Sequence, residues 1–351
     1  MGCEAGVKMA AIPTPDSPTV SAIYGWRERM TENGHREHLG ASLIGHECAR
    51  HLWYVFRWAG REAFSGRVLR MFDTGKREEA RVYAELRGIG CEVWADDGTG
   101  QYRVSAVGGH FGGSMDGVVQ GIPEAPKAPH VLEIKTHAAK SHADVAKKGV
   151  QASKPMHWTQ MQTYMHLAGI DRALYFATNK DTDAIYTERV RYDKDTGERI
   201  IAKAEAIIRA TEPPIRLSDD PEYFSCRWCS HASICHGTDV PEVNCRTCAY
   251  STPSEATGKW VCEAGKAGIQ RPGEAHQCHR YTPPLLARLG TPEDADEESV
   301  TYRTPEGAQF SNGPRPGFSS IEIHRSKDKR VFTDPTVVEA LATFDTAQVV
   351  G

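Results

Sequence analysis

Apolar positions recur along this chain with two different periods. From Ser42 as N-cap, Leu43, Ile44, Cys48, Leu52, Val55 and Phe56 return at helical spacing, predicting a first helix. A second helix is predicted from Arg67 to Leu86, stopped by Gly88 and Gly90. The period then shortens. CEVWADD and QYRVSAV flank an Asp-Gly-Thr-Gly turn and read as a hairpin, followed by strands over Ser114–Val119 and Val131–Thr136. A helix over His157–Ala168 comes next, then strands over Ala173–Thr178 and Ala184–Tyr192. A helix from Lys194 to Ala210 ends the unit at Pro213-Pro214. The order predicts an α/β fold, a mixed sheet with helices packed on it.

The flanking regions lack this rhythm. Residues 1–40 are rich in Pro, Gly and Thr early on and read as a loosely held lead-in to a principal domain over 41–240. Residues 241–283 form a small cysteine-rich module with many turns and little core. Residues 284–351 open with the acidic linker TPEDADEES and continue as extended segments. No internal repeat is visible.

Composition bounds the possibilities. The 351 residues are 40% hydrophobic and 25% charged, an ordinary globular balance with room for about two domains. No apolar run approaches the roughly 18 residues of a membrane span. The N-terminus lacks a signal-like apolar stretch, and Met1-Gly2-Cys3 fails the myristoylation pattern at Gly6, so a cytoplasmic protein is expected. A net charge of -4 neither favours nor excludes nucleic acid. A local stripe carries more information: between Arg50 and Arg87 there are nine Arg/Lys residues against five acidic ones.

Chemistry enters with the second predicted helix. Phe72, Gly75, Glu79, Val82 and Leu86 share one mostly apolar face, which Glu79 interrupts, whereas Glu78 and Glu85 lie outward. A carboxylate facing a core needs an ion pair, hydrogen bonds or a metal. In the strands, Ser114, Asp116 and Val118 point one way; Glu133 and Lys135 share a face while Leu132 and Ile134 take the other. Three carboxylates and a lysine can therefore converge. An oxygen-rich site with open positions suits Mg²⁺ or Mn²⁺ and in-line attack on a phosphodiester. Gln160 and Tyr164, at i and i+4, face the same way on their helix.

Gly75-Lys-Arg-Glu-Glu79, Asp116, Glu133-Ile134-Lys135 and Gln160-Met-Gln-Thr-Tyr164 together resemble the PD-(D/E)XK nucleases. The similarity is to the RecB and phage-exonuclease branch, with Glu79 in the first motif as in lambda-type exonucleases. It spans about residues 41–212, with motifs in the family's order and on the right predicted elements. The resemblance implies a restriction-endonuclease-like fold. It implies Asp116 and Glu133 as metal ligands with Glu79 as a helix-borne third. Lys135 would position the nucleophilic water, Gln160 would orient Lys135 or the scissile phosphate, and Tyr164 would contact DNA.

Eight of the ten cysteines fall into two groups. Cys226, Cys229 and Cys235 form C-x2-C-x5-C, and Cys48, far upstream, is the candidate fourth ligand. One cysteine before the nuclease motifs and three after them resembles the iron–sulfur nucleases, AddB among them. A 4Fe-4S cluster there staples the two ends of the domain. Zinc on the three cysteines with His231 or His236 is the alternative. The second group, Cys245, Cys248, Cys262 and Cys278, suits a small zinc module, with His276 or His279 able to replace Cys278.

Other motifs fail. His51 is five residues from His46, one too many for a zincin helix, and no Gly-Lys pair is followed by the Ser or Thr of a Walker loop. The expectation is a metal-dependent DNA nuclease, an exonuclease of phage or recombination type. It would grip the DNA backbone with the basic stripe and Lys140, Lys147, Lys148 and Lys154, with little sequence specificity. A helicase or single-strand-annealing protein could partner it. The alternatives are a non-catalytic DNA-binding scaffold and a site-specific endonuclease.

Overall fold

The computed structural model describes residues 17–31, 35–60, 63–96, 98, 100–266, 275–344 and 346–350. Cys3, the Met1-Gly2 motif, Arg61 of the basic stripe and parts of the Asp-Gly-Thr-Gly turn lie outside them.

Helices α1 (Pro18–Met30), α2 (Ala49–Phe56) and α3 (Gly66–Gly88) precede the main sheet, with the short strand β1 (Leu39–Gly40) between the first two. The sheet elements follow as β2 (Glu92–Trp94), β3 (Arg103–Ala106), β4 (Phe111–Ser114), β5 (Gly117–Gln120) and β6 (His130–His137). Helices α4 (Ala139–Lys148), α5 (Val150–Ser153) and α6 (Pro155–Ala168) lead to β7 (Arg172–Asn179), β8 (Ile185–Arg191) and α7 (Lys194–Arg209). The central five-stranded sheet has the order β2-β5-β6-β7-β8, with β6 and β7 parallel and the other pairs antiparallel. This is the mixed α/β fold expected.

Alternation along β6 builds two layers. Leu132 and Ile134 join Val82 and Leu86 of α3, with Val119, Leu174 and Phe176. Val131 packs on the opposite face with Met161, Tyr164 and Met165 of α6 and with Tyr175. The central strand is covered on both sides, so a one-residue slip would drive Glu133 into the α3 layer.

Four expectations need correction. The lead-in is not loose over its described part: α1 is capped by Ser17, lies on α3, and pairs Arg27 with Asp73. The helix expected from Ser42 starts later, because Ala41–Gly45 turns and Cys48 is the N-cap, accepting from His51 N–H at 3.4 Å. The expected strand over 114–119 is two strands in two sheets. β4 belongs to a three-stranded sheet β1-β4-β3 and β5 to the central one. The hairpin divides the same way, since β3 pairs with β4 and β2 with β5; among the described residues the Asp96–Gln101 bridge is what joins its two arms.

The segment after 284 is also no linker. Thr291–Ala295 forms β11, an exposed edge strand that pairs with β12 (Val300–Arg303), which pairs with β13 (Gln309–Asn312). Before it come α8 (Phe224–Arg227), α9 (Ala232–Cys235) and the hairpin β9 (Ser251–Ser254) and β10 (Lys259–Cys262); after it come α10 (Ser320–Arg325) and α11 (Pro335–Thr343). One apolar cluster runs from Trp53 and Phe56 through Ile207 and Trp260 to Tyr302, Phe310 and Phe332. Among the described residues, no helix is long and apolar enough to cross a membrane.

Leu132 is fully buried, and Leu132→Ala should cost about 2–5 kcal/mol of stability. Denaturant unfolding measures it; a loss under about 1 kcal/mol would mean the α3 layer is not a packed core.

Candidate active site

A cleft of about 790 Å³ opens where α3 and α6 pass the end of β6, and Glu79, Asp116, Lys135, Gln160 and Tyr164 all line it. Glu133 lies beneath, with no exposed surface. The strand pair β5–β6 opens here. Its last register pair is Gly117 with Leu132, so the Ile134 N–H beyond it donates to Asp116 Oδ2 at 2.7 Å. Gly117 makes the departure possible: its φ is +155°, and a Cβ would stand 2.8 Å from the Trp94 carbonyl.

Two tyrosines pin the segment between the two sheets. Tyr83, one turn beyond Glu79 on α3, donates to the Asp116 carbonyl at 2.6 Å. Tyr164, 2% exposed, donates to the Ser114 carbonyl at 2.8 Å and accepts from Gln160 Nε2 at 3.1 Å. The Tyr164 hydroxyl therefore braces the segment that carries Asp116, while the residue also lines the cleft. Tyr83 escaped the sequence reading, although it stands four residues after Glu79 as Tyr164 stands four after Gln160.

Charge is concentrated at the floor. Lys135 forms a close ion pair with Glu133 and lies 3.9 Å from Asp116 Oδ2. Burial pushes the Glu133 carboxyl up to about 7, against the pull of Lys135. Burial and the Asp116 charge also raise Glu79. Burial lowers the Lys135 ammonium, but Glu133 and Asp116 more than offset it and hold the lysine protonated. Glu133 Oε1 meets the Lys135 ammonium, whereas Oε2 is buried without a hydrogen-bond donor. Buried acidic groups are costly unless cations meet them, and by donor chemistry the all-oxygen set of Glu79, Asp116 and Glu133 suits Mg²⁺ or Mn²⁺. Glu79 faces this cleft rather than the core. Val82 and Leu86 pack on the sheet, whereas Phe72, a turn or two earlier, is 48% exposed where α3 overhangs the opening.

The basic stripe does not form one surface. Arg57 is buried and donates to the carbonyls of Ala210, Arg246 and Ser251; Arg81 is held by Glu78, Glu85 and Asp183. From this stripe Lys76 reaches the cleft, joined there by Arg36, which donates to Ser42 Oγ at 3.1 Å.

Cys48, Cys226, Cys229 and Cys235 line one small pocket, although Cys48 is 178 residues before Cys226, and none of them is in a disulfide. Backbone N–H groups of His51 and His231 point at the sulfurs of Cys48 and Cys229, both at 3.4 Å. His51 Nδ1, His231 Nδ1 and the Cys229 sulfur also approach one another, at 3.1 Å and 3.5 Å from His51. His51 was set aside in the sequence reading, and its contact with Cys229 is visible only once α2 is folded against α8 and α9. Cys245, Cys248, Cys262 and Cys278 line a second pocket with His276 and His279; Cys245 Sγ is 3.6 Å from His276 Nδ1. His279 Nε2 is already bonded to the Asn244 carbonyl at 2.9 Å.

No curated protein sequence matches the chain. Among solved structures, LHK-Exo in complex with dAMP is similar at a TM-score of 0.38 and 19% identity, over 53% of this chain and 90% of that one. SSO0001 aligns at 0.38 and 15% identity, over 62% and 96%. The alkaline exonuclease LHK-Exo from Laribacter hongkongensis aligns at 0.37 and 17%, over 53% and 90%. These likenesses are distant, and the assignment does not rest on them. It rests on the sequence model of the PD-(D/E)XK nuclease superfamily, which matches residues 27–236 of the 351: the chain belongs to that superfamily.

Proposed function

We propose that the protein is a metal-dependent DNA nuclease, and an exonuclease in particular. The observation that carries this reading is the buried Glu133–Lys135 ion pair, with Asp116 3.9 Å from the lysine and Glu79 in the same cleft. In it, Asp116 and Glu133, with Glu79, hold Mg²⁺ or Mn²⁺, which supplies charge neutralisation at the phosphodiester. Lys135 orients the attacking water. Gln160 and Tyr164 hold Ser114 and, through the chain, Asp116 in position. Exonuclease action is favoured by the glutamate at position 79, the lambda-type form of the first motif. Arg36 and Lys76 on the rim are the groups available to DNA phosphates.

In the same reading, Cys48, Cys226, Cys229 and Cys235 hold a 4Fe-4S cluster, supported by an all-sulfur donor set with N–H groups aimed at two of its sulfurs. The close approach of His51, Cys229 and His231 favours a second possibility, a single zinc ion on mixed ligands. The Cys245, Cys248, Cys262 and Cys278 group is read as a zinc site of the C-terminal part, with His276 as the substitute ligand.

Three results test this. Lys135→Ala should lose at least about a hundredfold in cleavage of end-labelled linear DNA while binding is largely kept. Loss of linear but not closed circular DNA identifies an exonuclease; cutting of circles would make it an endonuclease, and equal activity of the variant would refute the site. Mg²⁺ or Mn²⁺ at a hundred times Kd should stabilise the protein by about 2.7 kcal/mol, read as a higher melting temperature, and should leave Asp116→Asn unmoved. For the first cysteine set, anaerobic protein should carry iron and acid-labile sulfide that Cys226→Ser loses; zinc without iron would favour the mixed site.

A further inference from the structure

His157 continues a stripe that the motifs leave incomplete. On α6 it stands three residues before Gln160 and seven before Tyr164, so the three share a helix face, and all three line the cleft. Its ring is fixed from behind. His157 Nδ1 meets the Tyr175 hydroxyl at 3.0 Å, that hydroxyl meets His137 Nε2 at 2.7 Å, and His137 Nδ1 meets Ser141 Oγ at 3.2 Å. The His137 and His157 rings stack at 5.8 Å. His137 lies on the same face of β6 as Glu133 and Lys135.

This chain of four groups has few ways to arrange its protons. Burial keeps both histidines neutral, with Lys135 and Lys154 adding to the effect on His157. If Ser141 donates to His137, His137 donates to Tyr175 and Tyr175 to His157. Each neutral imidazole then keeps one proton, and that of His157 is on Nε2. In the reverse direction Nε2 is an acceptor. A cleft that binds a polyanion selects the first arrangement, because only a donor meets a phosphate oxygen favourably. The site also lies in the first turn of a 14-residue helix without a side-chain cap, where the dipole favours negative charge.

We propose that His157 is a substrate-contacting residue, donating from Nε2 to a phosphate oxygen of the bound DNA strand, with Tyr175 and His137 as the positioning residues that hold the ring. The proposal rests on the nuclease reading of the cleft. It names a contact that the carboxylate–lysine motifs do not contain, one turn outward along α6 from Gln160.

The test uses the full chain, with DNA cleavage in Mg²⁺ and DNA binding in Ca²⁺, and with thermal unfolding of every variant. His157→Ala should weaken binding and raise KM about tenfold with a smaller change in kcat, the effect of one lost hydrogen bond to a charged group. His157→Gln, whose amide carries a donor at the equivalent reach, should stay within about threefold of the parent. Tyr175→Phe, which removes the hydroxyl but keeps the packed ring, should move KM in the same direction as His157→Ala. Parent-like binding by His157→Ala would overturn the proposal, as would a His157→Gln variant that melts normally yet binds no better than the alanine form. The two readings fail separately. Cleavage that survives Lys135→Ala sinks the nuclease site, whereas a dead Lys135→Ala beside an indifferent His157→Ala sinks only the histidine contact.

Discussion

The site is governed by a buried carboxylate whose cationic contact is the lysine two residues along its own strand. Glu133 is fully buried in the central strand, its Oε1 is paired with Lys135, and its Oε2 has no hydrogen-bond donor. Burying a carboxylate is costly unless it is well paired, and burial raises Glu133 despite the pull of Lys135. Lys135 is shared, because it also lies 3.9 Å from Asp116. Three carboxylates, Glu79, Asp116 and Glu133, thus face one lysine at the floor of the cleft, an excess of acidic groups whose oxygen chemistry suits a divalent cation.

Holding that charge requires rigid surroundings, and they come from both layers of the sheet. The strand after β4 leaves one sheet and enters another within the two residues Met115 and Asp116. A crossing segment of this kind would be mobile without anchors. Tyr83 from the α3 side takes the Asp116 carbonyl, Tyr164 from the α6 side takes the Ser114 carbonyl, and Ile134 N–H takes the Asp116 carboxylate. Gly113 admits the second brace, since a Cβ there would lie 2.9 Å from the Tyr164 hydroxyl. The carboxylates are thus placed by backbone contacts more than by contacts between acidic side chains.

Period and face made the carboxylate–lysine set legible in the sequence, because β6 alternates cleanly and its neighbours on either side are long helices. The split between β4 and β5 was not legible. FGGSMDGVVQ reads as one extended run, and only the density of glycine marks the place where pairing partners change. Tyr83 and His157 were missed for a related reason: each acts through a residue on another element, and single-element periodicity does not reveal that. The C-terminal sheet was hidden by its own exposure. β11 is solvent-facing along its whole length, so its acidic sequence matches a linker, and its role appears only through pairing with Val300 and Tyr302 of β12.

The cysteine pockets lie outside the cleft, yet the same helix touches both. α2 carries Cys48 at its N-cap, and at its other end Phe56, Arg57 and Trp58 enclose Arg246, the residue after Cys245. Arg246 is buried over the Trp58 ring at 3.6 Å, and Arg57 lies between Trp53 and Trp260. Burial drops Arg246 to about 9 and Arg57 to about 10, the signature of guanidinium groups paired with rings and carbonyls instead of carboxylates. Trp58 Nε1 in turn donates to the Arg36 carbonyl at 2.9 Å, and the next segment is β1, which pairs with β4 on the way to Ser114. A chain of packed contacts therefore joins both cysteine pockets to the strand that delivers Asp116. Spatial continuity of this kind does not by itself make a signalling route. Its consequence is mechanical: a ligand closing the Cys48 pocket would tie the start of α2 to chain roughly 180 residues away, and closing so long a loop would stabilise the frame on which the charged floor depends.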